Sequence, residues 1–296
     1  MKPTLTIGIP AFNEQKNIRH LLADILVQND STYELRRIII YSDGSTDNTT
    51  RIVKSFSQKI TSLIESRKRM GIAYGINQII KNTETDILIT LDADIRIISK
   101  TFIRELIKPI IIDGAHLTAS SIKNMQAYTW VGRALQVGTE IKQNLFNNIE
   151  DKNNIYHCHG LARAYSRKLY SNMKVPASVG NDMYTYLYCK NNNLKFIYAP
   201  SAISWYKLPE TIKDHARQSQ RFSVSGKIME EIFDSKQVRH ELHIPIRAYL
   251  IALLLSLPRI LIKPMSTLLY ILIQITAHNT KIEPVKETWV IAESSK

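Results

Sequence analysis

Cysteine is nearly absent: Cys158 and Cys189 are the only two in 296 residues, and they form no CxxC pair. That spacing argues against both a disulfide framework and a thiolate zinc site, and it agrees with a reducing compartment. No internal repeat and no low-complexity tract appears. No uninterrupted apolar run reaches the ~20 residues that a bilayer-spanning helix requires. The chain opens Met1-Lys2-Pro3-Thr4-Leu5 and enters a strand pattern at once, so a secretory leader is not expected and a cytoplasmic location is. Negative charge is also in short supply, with 26 Asp and Glu against 39 Lys and Arg, a net charge of +13. Such a balance attracts polyanions, whether nucleic acid, anionic headgroups or a phosphorylated substrate. The aromatic-interleaved basic stripe of single-strand binders is missing. No nucleic-acid partner is therefore expected.

What is present is enough apolar material, 44 % of residues, for one large core. The first 120 residues alternate strand and helix patterns. Leu5 to Ile9 is an apolar run ending at Pro10. Ile18, Leu21, Leu22, Ile25 and Leu26 then recur at helical spacing. Ile38 to Tyr41 is a β-branched run closed by the turn residues Ser42-Asp43-Gly44-Ser45, and Thr46 or Asp47 can open a helix through Phe56. A weaker strand over 60–65 and a helix over 73–80 follow, and Ile87 to Leu91 is the clearest buried strand. Continuous apolar strands separated by helices predict a mostly parallel sheet flanked by helices, with ligands at the carboxyl ends of the strands. Beyond Ser121 the spacing predicts helices over 129–147 and 182–190, and strands over 155–165 and 194–198.

The tail changes composition. Ala248 to Leu257 is almost wholly apolar, Pro258 and Pro264 interrupt, and Leu268 to Ile275 is apolar again. Read as one span, the tail would place Arg259 and Lys263 near the membrane centre, at about 2.5–3.5 kcal/mol each. Two readings fit better: short helices in the membrane interface, with Arg259 and Lys263 reaching headgroups, or helices that cover the sheet or form a dimer contact.

Four polar clusters follow predicted strands: Pro10-Ala11-Phe12-Asn13-Glu14, Asp43 to Asp47, Arg67-Lys68-Arg69 with Gly71, and Asp92-Ala93-Asp94. Two carboxylates one residue apart after a buried strand can direct oxygens at one hard divalent cation, Mg²⁺ or Mn²⁺. A lone D-x-D triplet is weak evidence, since Asp also forms turns at strand ends. Four clusters in order at strand ends are much less readily coincidental.

The runs IPAFNEQKNI, YSDGSTDNT and LDADI resemble glycosyltransferase family 2, the inverting transferases of GT-A fold. Val179-Gly180-Asn181-Asp182 resembles that family's acidic catalytic motif, and Gln218-Ser219-Gln220-Arg221-Phe222 its Q-x-x-R-W motif. Together the resemblance covers residues 4 to 225, with Asn181 where an acidic residue is common and Phe222 in place of tryptophan. It implies an α/β, GT-A-like domain over 1–240, with a nucleotide-sugar half (1–120) and an acceptor half (121–240), and a helical extension over 241–296. It implies a hexosyl- or N-acetylhexosaminyltransferase using a nucleoside-diphosphate sugar, with uridine the expected base, and Mg²⁺ or Mn²⁺. Pro10, Glu14 and Asp43 would line the nucleotide pocket, Asp92 would face ribose or metal-bound water, and Asp94 would ligate the metal. Asp182 would be the general base, and Gln218 and Arg221 would grip the diphosphate. Gly160, Asn181 and Phe222 fall on the acceptor side.

Physical chemistry agrees with these roles, because attack on an anomeric carbon needs a proton acceptor and charge stabilisation on the departing diphosphate. Arg221 and Arg69 are candidate cations for the second task. Structural readings compete: Glu14 and Asp47 suit helix starts, Asp182 a helix N-cap, and Arg67 to Arg69 a solvated loop. His157 and His159 lack further zinc ligands at suitable spacing. Trp130, Trp205 and Tyr206 suit sugar stacking or core packing. The expected acceptor is a glycan or lipid-linked molecule, met at the cytoplasmic face of the membrane in cell-envelope polysaccharide synthesis, with peripheral contact through 245–277. A chain-exporting synthase would need several spanning helices, which are not evident.

Overall fold

The β-branched runs of the first ninety residues become β1 (Thr4–Ala11), β2 (Glu34–Ser42), β3 (Thr61–Glu65) and β4 (Ile87–Leu91) in a computed structural model. It describes residues 2–28, 30–56, 60–177 and 180–279. Between the strands lie α1 (Ile18–Leu26), α2 (Thr49–Ser55) and α3 (Ile72–Lys81). β1 pairs in parallel with β2 and β4, and β2 with β3. Right-twisted strands joined through helices can only be parallel neighbours in this way.

The sheet then continues through antiparallel pairings. After β4 come β5 (Ile95–Arg96), α4 (Phe102–Ile112), β6 (Leu117–Asn124) and α5 (Trp130–Phe146). Next are β7 (Ala162–Ser166), α6 (Arg167–Tyr170), α7 (Asn181–Asn191) and β8 (Phe196–Tyr206). β7 runs antiparallel to β4 and β6, and β5 antiparallel to β8. The eight strands lie in the order β3-β2-β1-β4-β7-β6-β8-β5. The sheet is therefore mixed, parallel in its first four strands only.

Strand alternation divides the core. Leu5, Ile7, Ile9, Ile38, Ile40, Ile87 and Ile89 face α1 and α4, whose Ile18, Leu21, Leu22, Ile25, Phe102, Ile103 and Leu106 are all buried with them. On the other face α3 closes so tightly that a side chain at Gly8 would meet Ile79 at 2.2 Å.

Two compact units result. Among the described residues, the first comprises those of 1–123 and 158–206, and the second those of 124–157 and 207–279. The second holds α5, α8 (Ile212–Ile232), α9 (Ser235–Glu241), α10 (Ile246–Ile262) and α11 (Pro264–Asn279). α10 and α11 both pack on α5, and α11 on α8.

Three expectations need correction. The strand over 155–165 is confined to β7, because Ile155–His157 forms a 3₁₀ turn, braced where the Asn154 amide donates to the Phe146 and Ile149 carbonyls. Pro258 does not end its helix: α10 runs through it to Ile262. Proline forfeits one N–H and crowds the carbonyl a turn earlier, and here packing on α5 outweighs that cost. Arg259 does not reach outward but forms a two-pronged ion pair with Glu140 of α5 at 2.5 Å. By length and composition, Ser235–Ile262 is also apolar enough to cross a membrane, although Pro245 separates α9 from α10.

α10 has an inverted pattern of sizes. Its buried residues are the small Ala248, Ala252 and Ser256, four apart, while Leu250, Leu253, Leu254, Leu257 and Leu261 are exposed. Small residues admit close helix approach; at Gly138 on α5 an added Cβ would lie 2.0 Å from the Tyr270 ring of α11. Gly138→Ala should therefore destabilise the second unit by about 1–3 kcal/mol, as overpacking does, read as a lower urea midpoint. An unchanged midpoint would show that α11 is not held where it lies.

Candidate active site

Parallel pairing fixes where the polar clusters meet, since β1, β2, β3 and β4 all end on one edge of the sheet. The first cluster is locked to the second by a lattice of side-chain bonds. Asn13, at a positive φ of 53°, accepts from the Thr46 N–H at 2.8 Å, and its own N–H donates to Ser45 Oγ. The Glu14 N–H donates to Thr49 Oγ1 at 2.7 Å, and the Gln15 N–H to Asp47. Asp47 also accepts from the Thr49 N–H and hydroxyl, which makes it a brace for the start of α2. Glu14 is buried and receives the Asn17 amide at 2.8 Å.

The second cluster grips the third. Asp43 is buried, and its two carboxylate oxygens accept the Met70 and Gly71 N–H groups at 2.7 and 2.9 Å. Those bonds pin the basic loop against Gly44, where φ is +70° and an added Cβ would stand 2.7 Å from the Lys68 backbone. Glycine serves both needs, the left-handed turn and the close approach. Arg67 and Lys68 point to solvent, whereas Arg69 is half-buried with its guanidinium 4.3 Å over the Phe12 ring. Burial lowers the Arg69 pKa despite the nearby Asp43 charge; it remains a cation throughout the physiological range.

The fourth cluster is where negative charge accumulates. Asp92 and Asp94 follow β4, and the Asp92 N–H is tied to the Leu161 carbonyl at 2.9 Å. Gly160 lies beside Asp92, near enough that a methyl there would sit 3.7 Å from Oδ2. The Asp92 carboxyl is pushed up to about 8, first by burial and then by Asp94, with Asp182 and Glu14 adding to the effect and Arg163 opposing it. Sequence-distant acids thus share one electrostatic environment.

Asp182 occupies the first turn of α7 rather than its N-cap, which is Gly180. Its carboxylate accepts the Met183 N–H at 2.9 Å, and Cys158 Sγ lies 4.0 Å from its carbonyl. Val179 of the same motif lies outside the described residues.

Beneath these acids sits a residue the sequence reading passed over. Arg163 of β7 is 1 % exposed, the largest fully buried side chain among the described residues. It donates to both the carbonyl and the side-chain oxygen of Asn181. A charged residue between Ala162 and Ala164 in a buried strand was the available signal, because Arg is almost never fully buried unless paired.

Three of the predicted site residues belong to the second unit. Gln218, Arg221 and Phe222 lie along α8. Phe222 is exposed and stacks on Tyr156 with centroids 5.9 Å apart, and Tyr156 stacks in turn on Phe146 at 4.5 Å. His157 is buried, with its pKa lowered to about 4 by desolvation. Trp130 is exposed, while Trp205 is half-buried under Lys123.

Among the described residues no three His, Cys, Asp or Glu side chains converge as a cation site. The donor set nevertheless fits a hard divalent ion that takes its other ligands from phosphate and water. Asp92 and Asp94 supply oxygens, and a cation would relieve both the burial and the Asp94 repulsion that raise the Asp92 carboxyl.

Comparison with known proteins gives a consistent result. The model of the family described as "Glycosyl transferase family 2" matches residues 6–173. Among curated relatives, "4,4'-diaponeurosporenoate glycosyltransferase" of Staphylococcus aureus strain RF122 is 26 % identical over 166 residues. That match covers 53 % of this chain and 42 % of the relative, so the chain spans less than half of that protein's length. Among solved structures, the mannosyltransferase PcManGT of Pyrobaculum calidifontis, determined with GDP-Man and Mn²⁺, superposes with a TM-score of 0.66 at 16 % identity, over 96 % of this chain and 78 % of that one. S. aureus TarS 1-349 with UDP-GlcNAc gives 0.56 at 18 % identity, over 71 % and 60 %. The fold is thus GT-A-like.

The raised Asp92 pKa has a consequence for stability. The folded state binds this proton more tightly than the unfolded state, whose Asp titrates near 3.9. Unfolding then releases it, and stability falls as pH rises from about 4 to about 8. In metal-free protein Asp92→Asn should raise Tm, by an amount that grows steadily from pH 5 to pH 8. Added Mn²⁺ should stabilise the native protein at pH 8 and the variant much less. Equal Tm differences at both pH values would remove Asp92 from this role.

Proposed function

We propose that this chain, which belongs to glycosyl transferase family 2, transfers a hexosyl or N-acetylhexosaminyl group from a uridine diphosphate sugar to a hydroxyl acceptor, with inversion. The observation that carries this reading is the gathering of Asp92, Asp94, Asp182 and Glu14 into one charge environment on the edge where the parallel strands end. On this reading residues 1–240 form the transferase and 241–296 the extension.

Each part of the site has a task. Pro10, Glu14 and Asp43 line the nucleotide pocket, whose shape depends on the loop that Asp43 holds through Met70 and Gly71. Asp94 and Asp92 would hold Mg²⁺ or Mn²⁺, which when bound neutralises charge on the diphosphate. Arg69 binds diphosphate oxygens as a cation, and the likeness of Gln218–Phe222 to the family's Q-x-x-R-W motif assigns the same task to Gln218 and Arg221. Asp182 accepts the proton of the acceptor hydroxyl as its oxygen attacks the anomeric carbon opposite the departing diphosphate. Displacement from that face inverts the configuration. Gly160 and Asn181 border the acceptor, and Phe222, stacked on Tyr156, takes the place of the family motif's tryptophan as an aromatic acceptor contact.

The acceptor is lipid-linked in this reading, and α10 with α11 rests on the cytoplasmic face of the membrane. Support comes from the inverted size pattern of α10 and from Leu254, Leu261 and Met265, which are 65, 75 and 75 % exposed. Apolar surface of this kind on soluble monomers marks an interaction site, and the net charge of +13 favours anionic lipid.

Asp182→Asn should lower transfer by at least about 100-fold while UDP binding with Mn²⁺, measured by calorimetry, stays within a few-fold. Retained turnover would remove Asp182 as the base. A thermal-shift screen of uridine, guanosine and thymidine diphosphate sugars tests the donor, because a ligand held only by the native state raises Tm. 4,4'-Diaponeurosporenoate belongs in the acceptor panel, since it is named in the curated relative. Leu254→Glu with Leu261→Glu should abolish co-flotation with anionic vesicles. If the unaltered protein fails to float, the membrane contact is wrong; if the variant instead loses a dimer, the same face joins two copies.

A further inference from the structure

Arg163, close to the acidic cluster, has no task in the roles above. It sits in the middle of β7, opposite Thr90 of β4 and Ala119 of β6. Its 1 % exposure is an expensive place for a guanidinium unless something specific holds it there. Its guanidinium lies 5.7 Å over the Tyr165 ring, and its hydrogen bonds go to one residue. One terminal nitrogen donates to the Asn181 carbonyl at 3.1 Å, and the other donates to Asn181 Oδ1. The same carbonyl also accepts the Thr185 hydroxyl at 2.6 Å. The first residue of α7 is thereby anchored to the sheet through both its oxygens, and Asp182 is the next residue along.

We infer that Arg163 is a positioning residue: by gripping Asn181 through both of its oxygens it fixes the first turn of α7, and so sets where the Asp182 carboxylate stands beside Asp92. Two independent features support this. The guanidinium fork matches the paired oxygens of Asn181, a geometry that an ammonium cannot reproduce. The buried charge also lies where Asp92 and Asp182 both act on it electrostatically, so the anchor brings a fixed positive charge to a place crowded with carboxylates. Removing either half of the grip frees the turn by ångströms at most, and a displacement of that size at a proton-accepting group costs rate rather than binding.

The inference rests on the proposed role of Asp182, and its test separates the two. Arg163→Lys keeps the charge and loses the fork. Asn181→Ala keeps Arg163 and its bond to the carbonyl but loses the side-chain oxygen. Each variant should lower kcat for transfer by about 10–100-fold, with donor KM within about threefold. The double variant should fall little below the worse single one, because both break the same contact. Amide hydrogen exchange should show faster exchange confined to the start of α7 in both variants, with the sheet as protected as in the unaltered chain. Unchanged kcat, a shift in donor KM alone, or additive losses would overturn the positioning role. Should the unaltered chain transfer no sugar, the function proposed above fails. Exchange at 182–185 then still decides whether Arg163 anchors the turn: unchanged protection in the variants refutes it.

Discussion

Everything in the first unit is arranged around an electrostatic conflict. Asp92, Asp94, Asp182 and Glu14 are drawn towards one another by strands and a helix that pack for unrelated, apolar reasons. At an effective dielectric of about 20, two like charges several ångströms apart repel by a few kcal/mol, a large fraction of the stability of an ordinary domain. The chain tolerates this because the Asp92 carboxyl holds its proton well above the usual range, and because the buried Arg163 contributes a positive charge nearby. A fold that keeps such an arrangement stores an affinity for cations.

The loops that surround the conflict are rigid for a different reason. Asn13, Asp43 and Asp47 use their side chains to satisfy backbone N–H groups of neighbouring loops rather than to face outward. A polar loop region would otherwise leave those donors to water, and each such bond ties loops far apart in sequence. The region is thus pre-organised. Asp43 in particular has a structural task that accounts for its burial independently of any contact with a nucleotide base.

Much of the donor half was legible without coordinates. The runs at 5–9, 38–41 and 87–91 could only be buried strands, and the acids beyond them could only gather at strand ends once the strands ran parallel. The later residues were harder. The β7 strand is short, and the preceding 3₁₀ turn has no periodicity to read, so the expected strand over 155–165 was too long. Pro258 looked like a break because intrinsic propensity favours one, and packing of Ala248, Ala252 and Ser256 on α5 overrode it. Arg259 looked like a headgroup ligand until Glu140, 119 residues earlier, proved to be its partner.

The sequence by itself determined the alternation of strands and helices, the order of the polar clusters and the composition of the tail, because periodicity and turn chemistry act over a few residues. Tertiary structure decided the rest. It alone made the sheet mixed after β4, since strand sense depends on where the chain returns. It alone placed Asp182 in a helix turn instead of at a cap, and turned an arginine inside an apolar strand into the anchor of that turn. Charge interactions depend on distances in space, and burial sets their strength, so no reading along the chain could assign them.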